Sequence, residues 1–141
     1  MQTLEEMGIP HQVHKHPLSE TTRSVMEHNL QVFDREGMDA MMADYAEDAV
    51  IISPYTIFRG HDEIRRFYTT FMHKTPKGFL EAVVTKSMTI VGEIAYIQWE
   101  AQPWTSLSTA TFVILEGKIT YQTMVPKSNS AEVDQIYRKQ Q

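Results

Sequence analysis

Two glycine turns in the second half of the chain, Val91-Gly92-Glu93-Ile94 and Glu116-Gly117-Lys118-Ile119, constrain the fold more than any other feature. Each joins runs rich in β-branched and aromatic residues, and glycine tolerates the positive φ that a tight hairpin needs. The spacing predicts four strands in an antiparallel meander: Phe79 to Val91, Ile94 to Gln102, Leu107 to Leu115 and Lys118 to Val125. The first half has a different period. Val25, Met26, Leu30 and Phe33 recur at helical spacing between Glu20 and Glu36, with Ser19, Thr21 or Thr22 available as a cap and Gly37 as a stop. Met38, Met41, Met42 and Tyr45 mark a short second helix. Ala49 to Pro54 and Thr56 to Gly60 read as two short strands, and Asp62 caps a third helix whose apolar face is Ile64, Phe67, Tyr68 and Phe71. Helices first and a long sheet after them is an α+β order, in which the helices cover one face of the sheet.

At 141 residues the chain suits one domain, able to bury roughly 70% of the surface exposed when unfolded. The boundaries expected are an extension over 1–18, the folded domain over 19–126 and a tail over 127–141. The polar first segment, with Pro10 and Pro17, shows neither period and reads as a solvated arm. The net charge of −5 comes from 13 basic and 18 acidic side chains, and the basic ones form no stripe, which argues against a nucleic-acid partner. No apolar run approaches the roughly 20 residues that cross a bilayer, and the first residues lack the pattern of a secretory signal, so a cytoplasmic location is expected. Cysteine is absent, which removes disulfides, thiolate metal sites and a cysteine nucleophile.

Three segments in order, "FDREGMDAMMADYAEDAVIISP", "FRGHDEIRRFY" and "EGKITYQTM", resemble the NTF2-like superfamily, specifically its SnoaL-like polyketide-cyclase and ketosteroid-isomerase branch. The resemblance covers about Ser24 to Val125. It implies a cone: a strongly bent antiparallel sheet around three N-terminal helices, with an apolar cavity open at the wide end. It also implies a homodimer through the outer sheet face, here expected to carry Tyr96, Gln98, Glu100 and Gln102, and it implies neither metal nor organic cofactor. The family's acids and bases are not matched. Ser53 stands where an isomerase keeps its base, Asn29 or Leu30 where it keeps a tyrosine, and Thr111 where it keeps a protonated acid. Met124 lies where the cyclases carry an acid, and Trp99 and Ala101 lie on the strand where the epoxide hydrolase needs an arginine and an aspartate.

Alternation selects the side chains that could line such a cavity. Ala95, Ile97, Trp99 and Ala101 form the apolar face of their strand, which puts Trp99 inside. In the next strand the two faces are similar, and alignment on Gly117 favours Thr109, Thr111, Val113 and Leu115 inward. Ile119, Tyr121, Thr123 and Val125 share a face of the last strand, with Met124 inward if a bulge intervenes. The expected ligand-binding set is therefore Ser53, Tyr55, Trp99, Thr111, Tyr121, Thr123 and Met124. Tyr55 and Tyr121 could polarise a carbonyl, and Glu100 is the candidate base if the parity of its strand is reversed. Core packing for Trp99 and ordinary strand usage for the hydroxyls are the structural alternatives. His11, His14 and His16 read as part of the solvated arm rather than as a metal site, His28 as exposed, and the nine methionines as filling of an irregular core. The expected function is a small enzyme that cyclises, isomerises or dehydrates a hydrophobic, oxygenated molecule; the alternative is a ligand-binding or dimeric module without turnover.

Overall fold

The computed structural model describes residues 2–35 and 37–138. In chain order the elements are β1 (His11–His14), α1 (Ser19–Arg35), α2 (Met38–Met42), β2 (Tyr45–Ile52), β3 (Ile57–Arg59), α3 (Gly60–Lys74), α4 (Phe79–Ala82), β4 (Val83–Val91), β5 (Ile94–Ala101), β6 (Thr105–Leu115), β7 (Lys118–Ser128) and α5 (Ala131–Ile136). All seven strands form one curved, unclosed sheet in the order β1-β4-β5-β6-β7-β2-β3. The meander β4 to β7 is antiparallel, as its turns require. Helices α1 and α3 lie against its concave face, and α+β with the cone architecture is the observed class.

The turn chemistry explains the two main hairpins. Glu116 and Gly117 both adopt positive φ, 51° and 77°, as a two-residue connection of this hand demands. Gly92 is tied from the far side of the molecule: its N–H donates to Ser19 Oγ at 2.9 Å and its carbonyl accepts from Thr22 Oγ1 at 2.5 Å. A side chain there would also meet the His16 ring at 3.1 Å. The first turn of α1 is thereby pinned to the β4–β5 hairpin.

The strands run differently from their expected bounds at two places. β2 begins at Tyr45, so the second helix is only five residues long, and Phe79–Ala82 is a helical turn before β4. The first segment is not a solvated arm. β1 pairs in parallel with β4, Leu4 is fully buried, and its N–H donates to Glu27 Oε2 at 2.8 Å. Arg23 bridges Glu5 and Glu27, and the Arg23 guanidinium lowers the Glu5 carboxyl to about 2. His11 contacts the same Glu5 at 3.0 Å. No helix is long and apolar enough to cross a membrane among the described residues.

Candidate functional site

Three irregularities in the sheet decide which residues face the helices. Across β4 and β5, Thr85 pairs with Trp99 but Ser87 pairs with Gln98, so Lys86 is an extra residue on β4. This bulge lets Val83 and Thr85 line the interior below it while Met88 and Ile90 are buried above it. Across β6 and β7, Val113 pairs with Tyr121 but Ile114 pairs with Ile119, which makes Thr120 extra. Ile119 is buried before that bulge, and Gln122 and Met124 are buried after it. A third shift, between Thr105 and Leu107, precedes the buried row Ser108, Ala110, Phe112 and Ile114 of β6.

The inward faces enclose a cavity of about 110 Å³ between the sheet, α1, α3 and Tyr137. Aromatic rings form much of its wall: Phe71 packs edge-on against Phe33, Trp99 and Tyr137, and against Phe79 behind them, with centroids 5.7–6.4 Å apart. One side is polar. The Tyr45 phenol donates to Gln122 Oε1 at 2.5 Å, lies 2.7 Å from the Tyr68 phenol, and Gln122 Nε2 donates to Tyr68 at 3.2 Å. Since Tyr45 has one proton and Gln122 takes it, Tyr68 must donate to Tyr45, and the three groups close a ring that uses both phenolic protons. Burial raises the pKa of Tyr45 and of Tyr68, so both are neutral at physiological pH.

Two hydroxyls at the cavity are not satisfied in this way. Tyr137 and Ser108 are each 1% exposed, both line the cavity, and the two hydroxyls are neighbours with no partner outside the pair. Burial, with Tyr68 close by, raises the Tyr137 phenol well above its ordinary value, which leaves it a neutral donor. A hydroxyl pair can use only one of its two protons internally, so one donor faces the cavity unspent, and leaving a buried donor unmet costs about 1–3 kcal/mol.

The remaining polar wall is Asn29, whose Nδ2 donates to Asp44 Oδ2 at 3.4 Å. Behind it His28 Nδ1 contacts both Asp44 oxygens at 2.8 Å. His28, expected to be exposed, is thus half-buried in a carboxylate–imidazole pair one side chain away from the cavity. No carboxylate or imidazole lines the cavity itself among the described residues. No group of three or more His, Asp or Glu that could hold a metal occurs among them either.

The sequence-predicted residues divide sharply. Trp99 and Met124 line the cavity. Thr111 does not: it pairs with Tyr96 and Thr123 on the outer side, because β6 buries its even-numbered residues. Tyr121, 53% exposed, and Thr123 are turned outward by the Thr120 bulge. Glu100 lies 3.4 Å from the exposed Lys86 on the outer face, so its strand has the direct parity and not the reversed one. Ser53 is buried but serves the chain: its Oγ donates to Tyr137 O at 2.8 Å and accepts from the N–H of Tyr55 and Thr56. The Tyr55 phenol is outside, donating to Asp134 Oδ2 at 2.7 Å, with the Arg138 guanidinium 3.9 Å from its ring centre.

Tyr137, Ser108, Gln122 and the Tyr45–Tyr68 pair were not singled out from the sequence. For Tyr137 a signal existed: Val133, Ile136 and Tyr137 recur at helical spacing behind Ser130, and Ser130 Oγ caps the helix by accepting from Val133 N–H at 3.2 Å. For Gln122 there was none, because a buried amide is recognisable only from the partners that the fold brings to it.

A family model described as a SnoaL-like domain matches residues 26–122. Among solved structures, an NTF2-like protein of unknown function from Mesorhizobium loti superposes with a TM-score of 0.69 at 18% identity, covering 85% of this chain and 100% of that one. A candidate ketosteroid isomerase from Kribbella flavida gives 0.61 at 14% identity, covering 79% and 81%. An epoxide hydrolase of M. tuberculosis, described as LEH-like, gives 0.58 at 13% identity, covering 77% and 84%. At these identities the likeness fixes the fold. No curated protein matches the sequence.

Proposed function

The chain belongs to the SnoaL-like domain family, and from that premise we propose that its inner cavity binds a hydrophobic, oxygenated small molecule whose oxygen accepts hydrogen bonds from Tyr137 and Ser108. The observation that supports this reading is a pair of buried hydroxyls, with no partner beyond each other, at one small apolar space. A carbonyl oxygen placed there would satisfy both donors at once, and Trp99, Met124 and Phe71 would hold the apolar part. Neutral donors aimed at an oxygen on which negative charge develops stabilise the transition states of isomerisation, cyclisation and dehydration. The Tyr45–Tyr68–Gln122 ring fixes the polar side without engaging Tyr137 or Ser108.

A module that binds without turnover is the second reading, favoured by one observation: no carboxylate or imidazole lines the cavity among the described residues. Asp44 reaches it only through Asn29. The two readings part on a single pair of measurements with a small ketone, 2-butanone. Both predict binding that weakens about tenfold in Tyr137→Phe, the equivalent of one hydrogen bond. Only the catalytic one predicts exchange of the α-protons of that ketone for deuterium faster than in buffer. Unchanged affinity in Tyr137→Phe would remove the site from both.

The proposal includes a homodimer in which the outer sheet faces meet. Adjacent rows of the register, Ile94–Val113–Tyr121–Val50 and Tyr96–Thr111–Thr123–Ile52, present Tyr96, Tyr121, Ile94 and Ile52 to solvent, an apolar and self-complementary surface for a second copy. Light scattering should then give twice the chain mass, and Tyr121→Glu should halve it. A cytoplasmic location completes the proposal.

A further inference from the structure

The cavity of about 110 Å³ is smaller than the ~150 Å³ space that holds one benzene, and far below the roughly 300 Å³ at which ligand sites begin. Next to it lies a cleft of about 960 Å³, walled by the first segment of the chain (Met7 and Ile9), by α1 and by the α4–β4 corner. Leu30, Phe33, Val83 and Thr85 line both spaces. Leu30 and Phe33, partly exposed on their helix face, are thus shared walls, and Phe33 is held edge-on by Tyr68 and Phe71 on its inner side. The segment 2–9 that forms the outer wall precedes the family match, which begins at residue 26.

We infer that the cleft is the second compartment of one ligand site, and that the ligand is an elongated amphiphile whose oxygenated end occupies the inner cavity while its chain runs past Leu30 and Phe33 into the cleft. The inference rests on the reading of the inner cavity given above. The cleft commits to the character of the outer end. Its apolar floor, with Met72, Leu80 and Val84, suits an alkyl or alkenyl chain. Among the described residues its lining carries Glu6 and Glu81 and no Lys, Arg or His. A carboxylate at that end would meet two like charges and no counter-charge among those residues, which favours an outer end that is uncharged or cationic.

The test is calorimetric titration of the full-length protein with 2-butanone, 2-hexanone, 2-decanone and 9-oxodecanoate. Affinity should rise about threefold or more for each methylene that the cleft buries, from 2-butanone to 2-decanone. Val84→Trp, at an exposed position that lines only the cleft, should abolish that dependence and leave 2-butanone unchanged. 9-Oxodecanoate should bind at least tenfold more weakly than 2-decanone, and Glu81→Lys should narrow the gap. Equal affinity for all the ketones would overturn the second compartment while leaving the inner site intact. Tighter binding of 9-oxodecanoate than of 2-decanone would overturn the assigned ligand class. Absence of binding by every ketone, with Tyr137→Phe equally inert, would overturn the inner site and this inference with it.

Discussion

The two ends of the chain lie outside the family match, and both are docked, but by opposite means. The first segment is held by a short parallel strand, one fully buried leucine and a charged network at the surface, and it walls an open cleft. The last segment is held by a six-residue helix and buries Tyr137 against Phe67 and Phe71, bringing a hydroxyl to the small inner cavity. The central cone supplies shape and aromatic lining. The comparison teaches that the ends add to the cone two different things: a donor from one end and a volume from the other.

The strongest way to break that contrast is to delete the anchor at each end. Tyr137→Ala should cost about 3–5 kcal/mol in urea unfolding, since a fully buried ring and its edge contacts are lost from the middle of the core. Leu4→Ala should cost less, about 2 kcal/mol, because the first segment can open locally without the cone unfolding. Hydrogen exchange sharpens the second result. The amides of His11–His14 should lose protection in Leu4→Ala while those of β6 keep theirs, whereas Tyr137→Ala should weaken both together.

Smaller effects separate the attachments. Ser53→Ala removes the bond to the Tyr137 carbonyl and leaves two N–H groups without their acceptor, a loss of about 1 kcal/mol. The smallest effect is a pH dependence confined to the first segment. Glu5 falls from 4.5 when unfolded to about 2 when folded, so its contribution is complete above pH 4.5 and is lost as the pH drops toward 2. Chemical shifts of the β1 amides should move toward unfolded values over that interval in the wild type and show no such step in Glu5→Gln.

How much of this was legible in the sequence differs between the fold and the site. The meander, the glycine turns and the three main helices follow from period and turn chemistry, both local properties. So does the inward face of β5, where Ala95, Ile97, Trp99 and Ala101 alternate without interruption. The site depends on parity beyond two bulges, and a bulge at Lys86 or Thr120 leaves no mark in composition. One extra residue turned Tyr121 and Thr123 outward and brought Gln122 and Met124 in. Ser53 and Tyr55 lie near the site for a reason that no local pattern carries, namely that they hold the segment bearing Tyr137. Leu4 is a single apolar residue in a polar stretch, and only the groove beneath it explains its burial.

Tyr137→Phe tests the central claim most directly, because it changes one oxygen in a packed wall. If the phenol is held in reserve for a ligand, its removal relieves a buried group whose sole hydrogen-bonding neighbour is Ser108. The free protein should then be unchanged or more stable by about 1 kcal/mol, near 4 °C in Tm, while binding of 2-butanone weakens about tenfold. A variant destabilised by 1 kcal/mol or more, with ketone binding intact, would show that the hydroxyl serves the fold and would contradict the account.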